Sequence, residues 1–195
     1  MTIFIAYKDI KDNYKTSWQI PYAELLSTFE WRDFRQSIIS RDKHKCTICN
    51  KEQSDKVGQT YFRKPTSQEI AERSKQTFFD LLGDGSIMVK LKPVPIVGIK
   101  TDNPTILHVH HSYYIFGNAP WEYNIDTLIT VCHDCHINIH RITRIPVYVN
   151  DKLEAILNLT PCIRCNGTGF LEEYHYYQNG ICFRCEGRKF EEFIS

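Results

Sequence analysis

The chain has 195 residues, 42% hydrophobic and 24% charged, with a net charge of +1. These values fit one or two ordinary globular domains and exclude nucleic-acid binding driven by bulk positive charge. No apolar run approaches the ~20 residues of a membrane-spanning helix, so no membrane association is expected. The start, MTIFIAYKDIKDNYK, has no basic segment before its apolar stretch and no small-residue cleavage site. No secretory signal is therefore read, and a cytoplasmic protein is expected.

Residues 1–20 read as a short strand or an arm. From Pro21, the apolar residues Tyr22, Leu25, Leu26, Phe29, Trp31, Phe34 and Ile38 follow helical spacing. Ser27 and Glu30 form an S-x-x-E capping box, which predicts a second helix from there to about Arg41. A helix is predicted from about Ser67 to Leu82, stopped by Gly83-Asp84-Gly85. Residues 86–99 read as extended, with Pro93 and Pro95 restricting them to an edge or a loop. TILHVHH at 105–111 reads as a strand. Thr127–Val131 leads into a helix from Cys132 to about Thr143, stopped by Pro146. Residues 147–160 form a connector and 161–190 a small terminal module.

Eight cysteines fall into four C-x2-C pairs: Cys46/Cys49, Cys132/Cys135, Cys162/Cys165 and Cys182/Cys185. In a reducing compartment such pairs point to metal, and eight thiolates fit two tetrahedral zinc sites. The alternative is a redox or chaperone-like thiol protein, which needs exposed, reducible pairs. Cys162, Cys165, Cys182 and Cys185 give C-x2-C-x16-C-x2-C, a zinc-site spacing in its own right.

Six of the eight histidines lie between 108 and 140. On the helix from Cys132, the residues Cys132, Cys135, His136, Ile139 and His140 share one face, so His136 and His140 can chelate one ion. His133 points elsewhere, as a surface residue or a nucleic-acid contact. His110 and His111, neighbours on a strand, face opposite sides, which suits a ligand beside a general base. His108 shares the face of His110 and takes a supporting role. Four cysteine pairs leave these imidazoles surplus to structural zinc, which favours an open, catalytic metal over a closed one.

KCTIC at 45–49, LHVHHSYYIFGNAPWEY at 107–123 and LITVCHDCHINIH at 128–140 resemble the HNH, or ββα-metal (His-Me finger), endonucleases. The lead-in of Trp31, Arg35, Ile38 and Arg41-Asp42 is similar to theirs as well, and the resemblance covers about residues 22–145. It implies a small α+β fold: a ββα-metal core with N-terminal helices and an appended C-terminal zinc ribbon. The implied domains are an arm at 1–20, a nuclease domain at 21–148 with an insertion at about 51–106, and a connector plus zinc module at 149–195.

The implied roles are His110, His136 and His140 as ligands of a catalytic divalent ion and His111 as general base. Cys46, Cys49, Cys132 and Cys135 become one structural zinc site, and Cys162, Cys165, Cys182 and Cys185 the other. Thr127 stands where the family has its middle Asn; Asn118 or Asn124 could compensate. The catalytic ion could be Mg2+, Mn2+, Ni2+ or Zn2+. The implied activity is phosphodiester hydrolysis, with double-stranded DNA the expected partner. The competing reading is a non-catalytic zinc-binding module for nucleic acid or protein with a degenerate site.

Candidate phosphate contacts are Arg32, Arg35, Arg41, Lys43 and Lys45 near the first pair, Lys90, Lys92 and Lys100 in the middle, and Arg141 and Arg144 after the histidines. Each such patch is more often a solvated face than a binding surface. CIRCNGTG at 162–169 resembles the C-x-x-C-x-G-x-G repeat of the DnaJ chaperone zinc region. This terminal module could contact nucleic acid through Arg164, Arg184, Arg188 and Lys189, bind a partner protein, or simply close the chain. Tyr174, Tyr176 and Tyr177 could stack on bases, but tyrosines at this density are more often the core of a small domain.

Overall fold

The computed structural model describes residues 4–16, 19–75, 78–81, 88–91, 97–174, 177 and 180–194. In chain order it forms α1 (Tyr7–Lys11), α2 (Tyr22–Leu26), α3 (Phe29–Arg41), β1 (Asp55–Val57), β2 (Thr60–Arg63), α4 (Ser67–Lys75) and β3 (Phe78–Leu81). Then follow β4 (Met88–Leu91), β5 (Ile99–Thr101), β6 (Leu107–His111), β7 (Tyr114–Ile115), β8 (Leu128–Cys132), α5 (His133–Ile142) and β9 (Val147–Tyr148). This mixture is consistent with the α+β class. Among the described residues no helix is long and apolar enough to cross a membrane. The chain divides into two compact units, one of Met1–Cys49 with Leu107–Ser195 and one of Asn50–Ile106. Residues 149–195 fall within the first unit.

In the first unit, α3 begins one residue later than the expected capping box. Thr28 has the extended backbone a cap needs, and its hydroxyl accepts from Trp31 N. Ser27 instead ends α2 and donates to the Ala23 carbonyl at 2.9 Å. The Glu30 carboxylate accepts from Tyr7 N at 3.0 and 3.1 Å, which ties the N-terminal residues to α3. Those residues are more than an arm: they form α1, and Ile10 and Ile20 bury against Leu25.

β6 and β8 pair antiparallel, from Leu107 opposite Cys132 to His111 opposite Leu128, and α5 follows directly. Leu107, Leu128, Val131, Ile38 and Ile39 are buried and pack α3 onto this pair with Trp31 and Val109. Truncating one such residue to Ala typically costs about 2–5 kcal/mol. Two arginines tie α3 to the pair. Arg35 donates to the Leu107 carbonyl at 2.6 Å, and Arg41 to those of Ile125 and Leu128 at 2.5 and 2.7 Å. Thr130 N–H donates to Asp42 at 3.0 Å, and the Thr130 carbonyl accepts from both Thr47 N and Thr47 Oγ1 at 2.9 Å. These bonds seat the first cysteine turn against β8.

The terminal module has isolated bridges, Pro161 with Phe190 and Phe170 with Ile181, where a ribbon would have strands. Its buried core is the four cysteines and Leu171, with Tyr174 and Ile194 against them. Gly169 (φ +75°) and Gly180 (φ +77°) take backbone conformations that a side chain would strain.

In the second unit, β1, β2 and β5 form an antiparallel sheet. Thr66 and Glu69 form a reciprocal capping box at the start of α4, and Arg63 forks onto Glu69 at 2.7 and 2.9 Å. The helix expected to reach Leu82 ends at Lys75, because the aromatic pair Phe78-Phe79 favours extended backbone and enters β3, which pairs with β4. Ser54 and Thr105 close the ends of the unit on each other. Leu82, Gly83-Asp84-Gly85, Lys92, Pro93, Pro95 and Tyr176 lie outside the described residues.

Candidate metal centres

The Sγ atoms of Cys46, Cys49, Cys132 and Cys135 lie within 4.8 Å of one another, as do those of Cys162, Cys165, Cys182 and Cys185. All eight are free thiols. The Cys49–Cys132 and Cys165–Cys185 sulfurs are 3.6 and 3.7 Å apart. A disulfide would need ~2.05 Å, whereas a tetrahedral zinc with bonds of ~2.3 Å puts sulfurs ~3.8 Å apart. Cys49 N and Gly169 N also point at the Cys46 and Cys165 sulfurs. Burial pushes the Cys46 thiol up, but backbone N–H groups of Cys49, Cys132 and Ile48 outweigh it and hold it low. Both four-cysteine clusters fit zinc.

A third cluster consists of His110, His136 and His140, whose ring nitrogens lie within 4.8 Å of one another. Strand alternation places it. His108 and His110 of β6 turn to α5, where His110 meets His136 and His140 at ring centroids of 5.3 and 5.1 Å. The helical turn between His136 and His140 brings their Nε2 atoms to 3.2 Å. Nitrogens sharing a tetrahedral ion at ~2.0 Å would stand ~3.3 Å apart. His110 Nδ1 is enclosed with no hydrogen-bond partner, an orphaned lone pair that a cation would satisfy. Burial pushes His110 down to about 4 and His140 to about 3, and lowers His136 further. All three imidazoles are neutral near pH 7, the form that ligates metal.

His108 stacks on His136 at 5.3 Å, a supporting position. His133 is half-buried between His108 and Phe170 and is not a free surface residue. His111 faces away from the cluster, toward α3, and is 2% exposed. Its ring stacks on Trp31 and Tyr114 and meets the edge of Tyr123. Its Nε2 lies 2.9 Å from the Pro120 carbonyl. An N–H there fixes the tautomer and leaves Nδ1 as the basic nitrogen. Burial pushes His111 down to about 3, against the Pro120 hydrogen bond.

The Thr127 hydroxyl donates to the Asn124 carbonyl at 2.7 Å, and the Thr127 carbonyl accepts from Ser112 N, which ties down the end of β6. Asn124 Oδ1 accepts from Asp126 N, and the Asn118 amide donates to the Glu122 carbonyl. Neither asparagine touches His111 by a hydrogen bond.

Arg41 is engaged inside the fold by bonds to the Ile125 and Leu128 carbonyls and to Asp42, which takes most of its donors, and Arg35 is tied to the Leu107 carbonyl. Arg32 pairs with Asp33 and lies over Phe4 and Phe29. Arg144 donates to the Leu159 carbonyl. In the terminal module Arg164 lies over Phe183, Arg184 pairs with Glu191, and Arg188 donates to the Gln19 and Phe193 carbonyls. Lys189 differs. It is 8% exposed, donates to the Tyr114 hydroxyl and sits over the Tyr114 ring. Burial pushes it down to about 7, while the Cys165 and Cys185 thiolates pull back. Tyr114 and Lys189 line a cavity together with His140, a proximity that no spacing rule gives, since Lys189 lies 49 residues beyond His140 in the sequence.

Comparison with known protein families, curated proteins and solved structures finds no match to this chain. The described residues thus form a small mixed helix-and-strand chain, consistent with α+β, with two four-cysteine clusters that fit zinc and one three-imidazole cluster.

Proposed function

We propose that the first unit is a metal-dependent phosphodiester hydrolase of the HNH type acting on nucleic acid, with double-stranded DNA its substrate. The observation that carries this reading is the convergence of His110, His136 and His140 from an antiparallel strand pair and the helix after it. The resemblance of KCTIC, LHVHH and LITVCHDCHINIH to that family supports it, and so does the four-cysteine cluster that joins both ends of the motif. A ββα core of this kind keeps three imidazoles on one ion and leaves further positions for water and phosphate.

A divalent cation held there would polarise a phosphate oxygen and stabilise the departing 3′-oxygen. The chain's own groups do the rest. His110 and His136 are held in place by the strand and by stacking on His108. His111 takes the proton of the attacking water through Nδ1, its ring fixed by the Pro120 carbonyl and Trp31. His111 is 2% exposed and turned away from the cluster, so this step requires the end of β6 to rearrange when substrate binds. Catalytic hydrogen bonds commonly tighten only with substrate present. The thiolate sites require a reducing compartment, which fits a cytoplasmic protein.

The enclosure of His111 favours a second reading, a zinc-built nucleic-acid or protein interaction module whose histidine site no longer cuts. One experiment separates the two: supercoiled plasmid, linear DNA, single strands and RNA are incubated with the full chain and Mg2+, Mn2+, Ni2+ or Zn2+, with EDTA and His111→Ala as controls. Metal-dependent cutting abolished by both controls supports hydrolysis. Binding without cutting under every ion supports the interaction module.

A further inference from the structure

We propose that Lys189, supplied by the terminal four-cysteine module, is the phosphate-holding cation of the histidine site. The inference rests on the hydrolase reading for its biological meaning but not for its test. Lys189 is buried, and among the described residues no carboxylate forms an ion pair with it. An ammonium in that position needs an anion or strong acceptors. The Tyr114 hydroxyl takes one of its three donors.

Lys189 also lines a cavity beside the histidines. A cavity of about 220 Å³ opens between His140 on α5 and the terminal module, with Lys189, Tyr114, Arg141 and Arg144 in its wall. No Asp or Glu lines it, so every formally charged group there is positive. That charge pattern selects an anion, and His140 puts the anion beside the three-imidazole cluster. A phosphate lodged there would accept from Lys189 on one side and meet the histidine-bound cation on the other. The second four-cysteine cluster fits this role too. The Cys162 N–H donates to the Lys189 carbonyl at 2.8 Å, so the turn that carries the first cysteine pair of this cluster sets where the lysine stands. The terminal module therefore completes the site and is not a detached appendage.

The test uses the full zinc-loaded chain and inorganic phosphate as probe, with affinity followed by calorimetry in wild type, Lys189→Met and Lys189→Arg. Loss of a charge-assisted hydrogen bond corresponds to roughly 10- to 100-fold weaker binding. The expected result is that loss for Lys189→Met, substantial retention for Lys189→Arg, and two zincs per chain in both. Unchanged phosphate affinity in Lys189→Met overturns the proposal, as does loss of zinc with phosphate affinity intact. If Lys189→Met does not fold, amine labelling of wild type read by mass spectrometry decides: phosphate must slow modification of Lys189, and indifference to phosphate overturns the proposal. Plasmid cutting by the same proteins separates this outcome from that of the hydrolase reading. Cutting with phosphate binding indifferent to Lys189 leaves the nuclease and removes the lysine. Lys189-dependent phosphate binding without cutting leaves an anion site and removes the nuclease.

Discussion

The Nε2 atoms of His136 and His140 face each other at 3.2 Å across one turn of α5. Two neutral imidazoles cannot both donate across that gap: either one ring donates Nε2–H to the other, or both Nε2 lone pairs face one cation. With the enclosed Nδ1 of His110 close by, a cation would satisfy all three rings together, as the proposed function requires.

His111→Ala is expected to retain both zinc sites while cutting falls by about 10²–10⁴. Its ring is packed against Trp31 and Tyr114, so the variant should also lose stability. Single-turnover cleavage beside a thermal melt and zinc analysis separates the two effects. Cutting at the wild-type rate would remove His111 from the reaction.

Gly169→Ala should loosen the terminal module. A Cβ there would stand 2.9 Å from the Gly187 carbonyl oxygen, at a φ of +75° that disfavours side chains. The same residue's N–H supports the Cys165 sulfur. The expected result is faster zinc loss to a chelator from one site of the two, with a stability loss above about 1 kcal/mol. Equal release kinetics in the variant and the wild type would contradict this account of the turn.

Asp42→Asn should cost about 1–3 kcal/mol in chemical denaturation. Asp42 accepts from Thr130 N and from Arg41, which itself holds the Ile125 and Leu128 carbonyls. Burial pushes the Asp42 carboxyl up, but the Arg41 and Thr130 hydrogen bonds outweigh it and hold it below the usual carboxylate range. Its contribution is therefore present above about pH 3.9 and lost as pH falls through the lowered value.

Much of this architecture was legible in the sequence because it rests on short-range spacing. Four C-x2-C pairs announced two four-cysteine clusters, and helical periodicity put His136 and His140 on one face. Strand alternation likewise set His110 and His111 on opposite sides of β6. What escaped was long-range. Thr28 displaced Ser27 as cap because tertiary bonding claimed Glu30 for Tyr7. Arg35 and Arg41 looked like surface cations, yet they bind carbonyls 72 or more positions away. Nothing local marks Lys189 as the lysine that folds back to Tyr114.

The buried imidazoles give the site a pH signature. Burial lowers His108 and His110 to about 4, so protons compete for His110 only well below neutrality. With the thiolate sites zinc-loaded, cobalt affinity at the histidine cluster should be nearly flat from about pH 7 to about pH 5, whereas an exposed three-histidine site would weaken below its ordinary value of ~6.5. The sign for stability follows. The unfolded chain binds protons first, so a chain with that cluster unligated loses stability as pH falls from about 6.5 toward about 4. Cobalt affinity falling steeply already near pH 6 would contradict the enclosed geometry.

The central claim is that His110, His136 and His140 hold a divalent cation beyond the two tetrathiolate zincs. Its most direct measurement is equilibrium binding of Mn2+ or Co2+ to the zinc-loaded full chain, in wild type and in His136→Ala. One further equivalent per chain in wild type, missing from His136→Ala while both zincs stay, is the predicted result. No further ion in wild type, or the same ion held equally by His136→Ala, would contradict it.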